Sequence, residues 1–270
     1  MENLKFEKNK KAEKRNWIVV ASVVLNIILL VTLTGVTIRE NYPTRLLKKI
    51  HSLTKEQEQL PSPPFLSERY RVLTEIFSMY GGQKNIVMLG NSLTAGVDWV
   101  ELLNRCDIAN RGIGGDITEG YIHRIDCVLD LQPEVCFIEG GINDLHMGIS
   151  EETIVGNLQM IIDTLQRNNI KPVLTTVSFV TQKRNNERSI NDKVKALNEL
   201  IFQLAARKNV PVLDLNGKLS DGNFLKNEYA IGDGLHFNAK AYTVWKNEVL
   251  EILKNEITFL TTKEEKNACR

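Results

Sequence analysis

The chain has 270 residues, 43% hydrophobic and 25% charged, with a formal net charge of +1. Its apolar content suffices for one sizeable buried core and excludes a disordered or fibrous polymer. The near-zero net charge excludes a nucleic-acid binder that works through a broad basic surface.

The positive charge is local. Ahead of Trp17, the basic residues Lys5, Lys8, Lys10, Lys11, Lys14 and Arg15 face only Glu2, Glu7 and Glu13, a local excess of +3. Residues 17–38 then carry no formal charge over 22 positions, long enough to cross a bilayer as a helix. Asn26 is the one costly side chain there, and a single amide does not prevent insertion. Arg39 and Glu40 cancel on the far side, so the positive-inside rule places the amino terminus in the cytoplasm and everything after residue 40 outside. The stretch exceeds the usual length of a signal-peptide apolar region and no A-x-A-like cleavage site follows, so it reads as a signal anchor.

Residues 39–64 read as a stalk, a short polar stretch with Lys48, Lys49, Lys55, Glu56 and Glu58 followed by Pro61, Pro63 and Pro64. The organisation expected is therefore a cytoplasmic basic segment at 1–16, a transmembrane anchor at 17–38, the stalk at 39–64, a folded domain at 65–262 and a loose tail at 263–270. The cysteines Cys106, Cys127, Cys136 and Cys269 match no metal-site or small-disulfide spacing. They read as buried free thiols, with a bridge among the first three as the alternative.

Past the stalk, short β-rich runs alternate with helical patterns. Strands are expected at 86–89, 108–110, 135–139, 173–177 and 210–215, and helices at 117–131, 151–169, 189–208 and 239–261. Ser150 ahead of Glu151, Glu152 and Thr153 marks a helix start, with acids at the positive end of the dipole. Such alternation implies an α/β domain, a parallel sheet covered on both faces. Every strand then ends on one edge, and the loops there carry the chemistry.

Three such loops hold candidate groups: Gly90-Asn91-Ser92-Leu93 after the first strand, Arg111 to Asp116 after the second, and Glu139-Gly140-Gly141-Ile142-Asn143-Asp144 after the third. Asp233 and His236 stand downstream with two residues between them. A serine hydroxyl is a poor nucleophile until an imidazole takes its proton, and a carboxylate fixes that imidazole's tautomer. The Asp-x-x-His spacing lets the pair meet on one turn. Backbone amides of Ser92 and Gly115 and the side-chain amide of Asn143 can stabilise a developing oxyanion, each worth about 3 kcal/mol. The glycine-rich loop lacks the order of phosphate or dinucleotide motifs. His146 is the rival base, better suited to the rim. Trp99 and Phe179 are core or rim aromatics. No metal-ligand spacing and no cofactor motif is present, and no nucleic-acid partner is expected.

In order and spacing these four blocks resemble the SGNH hydrolases, also called GDSL-type esterases and lipases. The run Asn110 to Asp116 is most similar to the branch of the platelet-activating-factor acetylhydrolase catalytic subunits. The resemblance covers about residues 68–258. It implies a three-layer α/β/α, flavodoxin-like fold with a five-stranded parallel sheet. It also implies Ser92 as nucleophile, His236 as base, Asp233 as its orienting acid, and an oxyanion hole of Ser92, Gly115 and Asn143. Asn91 stands where the family usually has Asp, a loop-organising position. The function expected is a membrane-anchored extracytoplasmic serine esterase that cleaves carboxylic esters, short-chain or acetyl, of a small molecule or glycan, through an acyl-enzyme. The alternatives are acyl transfer to a cell-surface glycan and a non-catalytic surface binding protein.

Overall fold

In the computed structural model, residues 22–30, 32, 63–183 and 187–256 are described. The chain divides into two compact units, residues 1–61 and 62–270. In the first, residues 22–30 are helical, with Val23, Leu25, Ile28 and Leu30 exposed. The remainder of the expected 17–38 anchor apart from residue 32, the basic segment 1–16 and residues 39–62 of the stalk lie outside the described residues. Among the described residues, no helix is long and apolar enough to cross a membrane.

After a short 3-10 turn (Pro64–Leu66), the second unit continues with helix α1 (Glu68–Met79), capped by the Ser67 hydroxyl, which accepts from the Tyr70 amide at 3.2 Å. Strand β1 (Ile86–Gly90) leads into the short helices α2 (Ser92–Ala95) and α3 (Trp99–Leu103), then β2 (Ile108–Gly112). Helices α4 (Thr118–His123) and α5 (Asp126–Leu129) cross to β3 (Val135–Ile138). Helices α6 (Ile142–His146) and α7 (Glu151–Arg167) reach β4 (Lys171–Thr175), and α8 (Glu187–Lys208) reaches β5 (Val212–Leu213). Helix α9 (Asn216–Leu219), a small hairpin of β6 (Ser220–Asp221) and β7 (Phe224–Leu225), and helix α10 (Ala239–Glu256) complete the unit.

Strands β1 to β5 form one parallel sheet in the order β2-β1-β3-β4-β5. β1 and β3 are buried at every position, as strands covered on both faces must be, and both read as continuous apolar runs. Gly90 pairs with Gly112 and Leu89 with Ile138, so the carboxyl ends of the first three strands finish nearly level. The chain runs outward from β1 to β2 and then back past β1 to β3. That reversal opens a crevice at the carboxyl ends of β1 and β3, where open α/β sheets bind ligands.

Helix α7 shows how the sequence drives the layer. Ser150 caps it by accepting from the Thr153 amide, Glu151 and Glu152 occupy its first turn, and Ile154, Leu158, Ile161, Ile162 and Leu165 line its buried side at helical spacing. Between α3 and α10, Trp99 and Trp245 meet edge to face with ring centroids 5.0 Å apart, both buried. Trp99 and Phe179 are core residues rather than pocket walls.

Four expectations need correction. The 117–131 helix breaks after His123, because the Arg124 side chain turns inward to a buried carboxylate rather than continuing the apolar stripe. β4 starts and ends two residues earlier than expected, since Thr176 turns its hydroxyl to accept from the Leu215 amide at 3.0 Å. β5 shrinks to two residues, and the 220–232 loop contains the unpredicted hairpin. Finally, Cys106 is disulfide-bonded while Cys127 and Cys136 are free. Neither a full set of free thiols nor a bridge among the first three holds, because Cys136 lies in the sheet interior and Cys127 sits against the Thr74 carbonyl of α1. Burial raises the pKa of both free thiols.

The inward turn of Arg124 creates a fully buried ion pair, with Nε donating to Asp116 Oδ2 at 2.8 Å. Its Nη1 and Nη2 donate to the carbonyls of Arg111 at 2.8 Å and Gly90 at 3.1 Å. Burial pushes the Asp116 carboxyl up to about 6, with Arg124 opposing the rise. Removing one partner of a buried pair strands the other charge, so Arg124→Met is predicted to lower the urea unfolding free energy by about 3–5 kcal/mol near neutral pH. Arg124 lowers the Asp116 pKa, so without it the buried carboxyl takes up its proton at a higher pH in the folded variant than in the wild type, and the loss should shrink on acidification toward pH 5. An unchanged urea midpoint would show that the pair does not hold the fold.

Candidate active site

The crevice is built on a turn that only glycine permits. A Cβ on Gly90 would lie 2.0 Å from Thr94 Oγ1, so the chain can fold onto itself directly after β1 only with glycine there. Asn91 then caps α2, its Oδ1 accepting from the Leu93 amide at 2.8 Å, and Ser92 begins the helix. The last carbonyls of this one-turn helix are satisfied from outside. Tyr242 Oη donates to Leu93 O at 2.8 Å, and Trp99 Nε1 and Asn110 Nδ2 donate to Thr94 O at 2.9 and 3.2 Å. Ser92 is therefore held at the switch point, partly exposed, with its supporting turn buried.

The turn after the hairpin brings two further groups to that hydroxyl. His236 Nε2 lies 2.9 Å from Ser92 Oγ, and His236 Nδ1 lies 2.5 Å from Asp233 Oδ2. The other oxygen, Asp233 Oδ1, accepts the amides of Leu235 at 2.9 Å and His236 at 3.0 Å. One carboxylate thus builds the turn and orients the ring. Loss of hydration favours neutral Asp233, but the hydrogen bonds from the His236 ring and from the two amides outweigh it and hold the pKa at about 2. An ionised carboxylate only accepts, so Nδ1 carries the ring proton and Nε2 turns a lone pair toward Ser92.

The glycine-rich loop runs beside the hydroxyl. A Cβ on Gly114 would come 3.9 Å from Ser92 Cβ, while one on Gly115, at φ +81°, would meet nothing within 4 Å. Among the described residues, neither the Ser92 amide nor the Gly115 amide has a protein acceptor. Asn143, in the first turn of α6, donates Nδ2 to Asp116 O at 2.8 Å and so joins the loop after β3 to the loop after β2; the second N–H of this amide is left for another acceptor. A second tie runs alongside, with Asp144 accepting from the Thr118 amide at 3.0 Å and from its hydroxyl at 2.5 Å. Burial raises the pKa of Asp144 against those donors.

The other two described histidines stand apart. His146 is exposed with Nδ1 2.7 Å from the Ile142 carbonyl of its own helix, and His123 packs on Phe65 at 4.8 Å. Among the described residues, no group of three His, Cys, Asp or Glu side chains could hold a metal ion. Sequence reasoning missed Arg124, Thr94, Tyr242 and the use of Glu139. For Arg124 the signal was present, since it falls between the buried Tyr121 and Val128 on the apolar side of the 117–131 pattern. Tyr242 lies 149 residues from its partner, beyond any local pattern.

The arrangement can remove a hydroxyl proton through a fixed imidazole beside unpaired amide donors, which is the equipment of acyl transfer. Comparison with known proteins agrees with it. The profile of the GDSL-like Lipase/Acylhydrolase family matches residues 88–244, and the chain belongs to that family of serine ester hydrolases. A lipase/acylhydrolase from Enterococcus faecalis is 27% identical, with a TM-score of 0.56 over 64% of this chain and 96% of that one. An acetyl xylan esterase, 21% identical, shares the fold with a TM-score of 0.53, covering 62% of this chain and 98% of that one. An N-acylneuraminate cytidylyltransferase from Streptococcus agalactiae serotype V is 35% identical over 133 residues, 49% of this chain and 31% of that protein. The chain spans about a third of the length of the curated relatives it matches.

Replacing Asp233 with Asn keeps the shape but removes the charge that selects the tautomer. Asp233→Asn is predicted to lower kcat by at least about a hundredfold. A carboxyl held near 2 is ionised above pH 4, so any loss of wild-type activity between pH 7 and pH 5 must come from another group. The kcat of the two proteins across that range checks both statements.

Proposed function

We propose that the protein hydrolyses carboxylic esters through an acyl-enzyme formed on Ser92. The observation that carries this is the line from Ser92 Oγ through His236 to Asp233. His236 Nε2 takes the hydroxyl proton as Oγ attacks the ester carbonyl. The tetrahedral oxyanion is met by the amides of Ser92 and Gly115 and the remaining N–H of Asn143, the donors that such a charge requires. The imidazolium returns its proton to the departing alcohol, and the Ser92 ester remains. Water, deprotonated by the same nitrogen, then attacks that ester and releases the acid and free Ser92.

We further propose a short acyl group, acetyl above all, carried by a small molecule or a glycan. The acetyl xylan esterase and the N-acylneuraminate enzyme among the similar proteins, whose names concern acylated sugars, support this class. The uncharged run at 17–38 behind a basic segment supports attachment to a membrane with the catalytic unit outside the cytoplasm. Protease added to intact cells should then remove the catalytic unit while leaving cytoplasmic proteins untouched.

The chemical proposal is tested with the full chain in detergent against aryl esters from acetyl to octanoyl and against acetylated sugars. The short acyl esters should turn over fastest, and Ser92→Ala should lose at least about a thousandfold in kcat. Full activity in that variant would overturn the assignment of Ser92, and a preference for octanoyl would overturn the short-acyl reading.

A further inference from the structure

Asn91 and Thr94, one on each side of Ser92 in its turn, are tied to one side chain that lies just past a different strand. Glu139 follows β3 directly and is only 2% exposed. Its Oε1 accepts from Asn91 Nδ2 at 3.0 Å, and its Oε2 accepts from Thr94 Oγ1 at 3.2 Å. The Asn91 backbone amide favours its charged form as well. The glutamate is itself anchored, its amide donating to Leu89 O at 2.9 Å and its carbonyl accepting from Tyr121 Oη at 3.0 Å. With Gly90 packed 2.9 Å from the Glu139 carbonyl at the position of a would-be Cβ, the turn has no slack on that side. Asn91 also explains the pairing, because an amide offers Glu139 a donor where a carboxylate would offer only a second acceptor.

We infer that Glu139 is a positioning residue for the nucleophile: its buried carboxylate fixes Asn91 and Thr94, and through them the direction in which Ser92 presents its hydroxyl. The inference rests on the assignment of Ser92 as nucleophile. Glu139 touches neither the reacting atoms nor the imidazole and acts only through the turn. Because reacting atoms must be aligned to within a fraction of an ångström, loosening this turn should reduce the chemical step more than substrate binding.

Two variants of similar volume separate holding from filling. Glu139→Gln keeps an acceptor for Asn91 and a donor for the Thr94 hydroxyl, whereas Glu139→Met fills the space and makes neither bond. Measured on the full chain with an aryl acetate, Glu139→Met should lose at least about tenfold in kcat with KM within about threefold, and Glu139→Gln should keep kcat within about threefold of wild type. Hydrogen–deuterium exchange of the peptide spanning 90–96 should rise in Glu139→Met and stay near wild type in Glu139→Gln. Equal kcat and equal exchange in the two variants would overturn the inference. If the unaltered protein turned over no ester, the functional reading would fall, while the exchange comparison would still decide whether Glu139 holds the turn.

Discussion

A single guanidinium beneath the crevice sets the relation between the parts of the site. Arg124 donates to the carbonyl that ends β1, to a carbonyl of β2, and to the carboxylate of the glycine-rich loop. These are the supports of the turn that carries Ser92 and of the loop that carries Gly115. A buried cation has no cheap alternative to satisfying its donors, since losing any of them leaves a charged group without solvent or partner. The three segments are thus held in one arrangement by the cost of every other, and Asn143 extends that arrangement to the loop after β3.

The unit buries several ionisable side chains around this geometry. Asp116, Glu139 and Asp144 all lie within the edge where the strands end, and burial raises the pKa of each, Glu139 to about 7. Ion pairs and carboxylates of this kind add little net stability compared with apolar packing. What they provide is directional: hydrogen bonds that specify where a loop lies, which apolar contacts cannot do. The aromatic cluster of Trp99, Trp245, Tyr242 and Phe237 and the apolar faces of α7 and the sheet supply the burial that tolerates this polar layer. Asp233 and His236, by contrast, sit near the surface, with side chains 40% and 37% exposed.

Much of this was legible in the sequence because the period of the apolar pattern and the position of the glycines are local signals. The runs at 86–89 and 135–139 are buried on both faces and were readable as central strands, and the Asp-x-x-His turn needs only three residues of separation. What was not legible depends on partners far apart in the chain. The short β5 reflects pairing limited by the turn of Thr176, whose hydroxyl accepts from an amide 39 residues away. That Cys106 is disulfide-bonded is likewise something spacing alone does not encode. Glu139 was visible as a carboxylate at a strand end, but its pairing with Asn91 requires knowing that β1 and β3 are neighbours.

The assignment of Ser92 as an activated nucleophile underlies every other role proposed at the site. The most direct measurement is intact-mass and peptide mapping of the full chain after treatment with a fluorophosphonate. That assignment predicts one adduct per chain, carried by Ser92, with labelling strongly slowed in His236→Gln. Labelling of a different residue, or none at all in the folded protein, would contradict it.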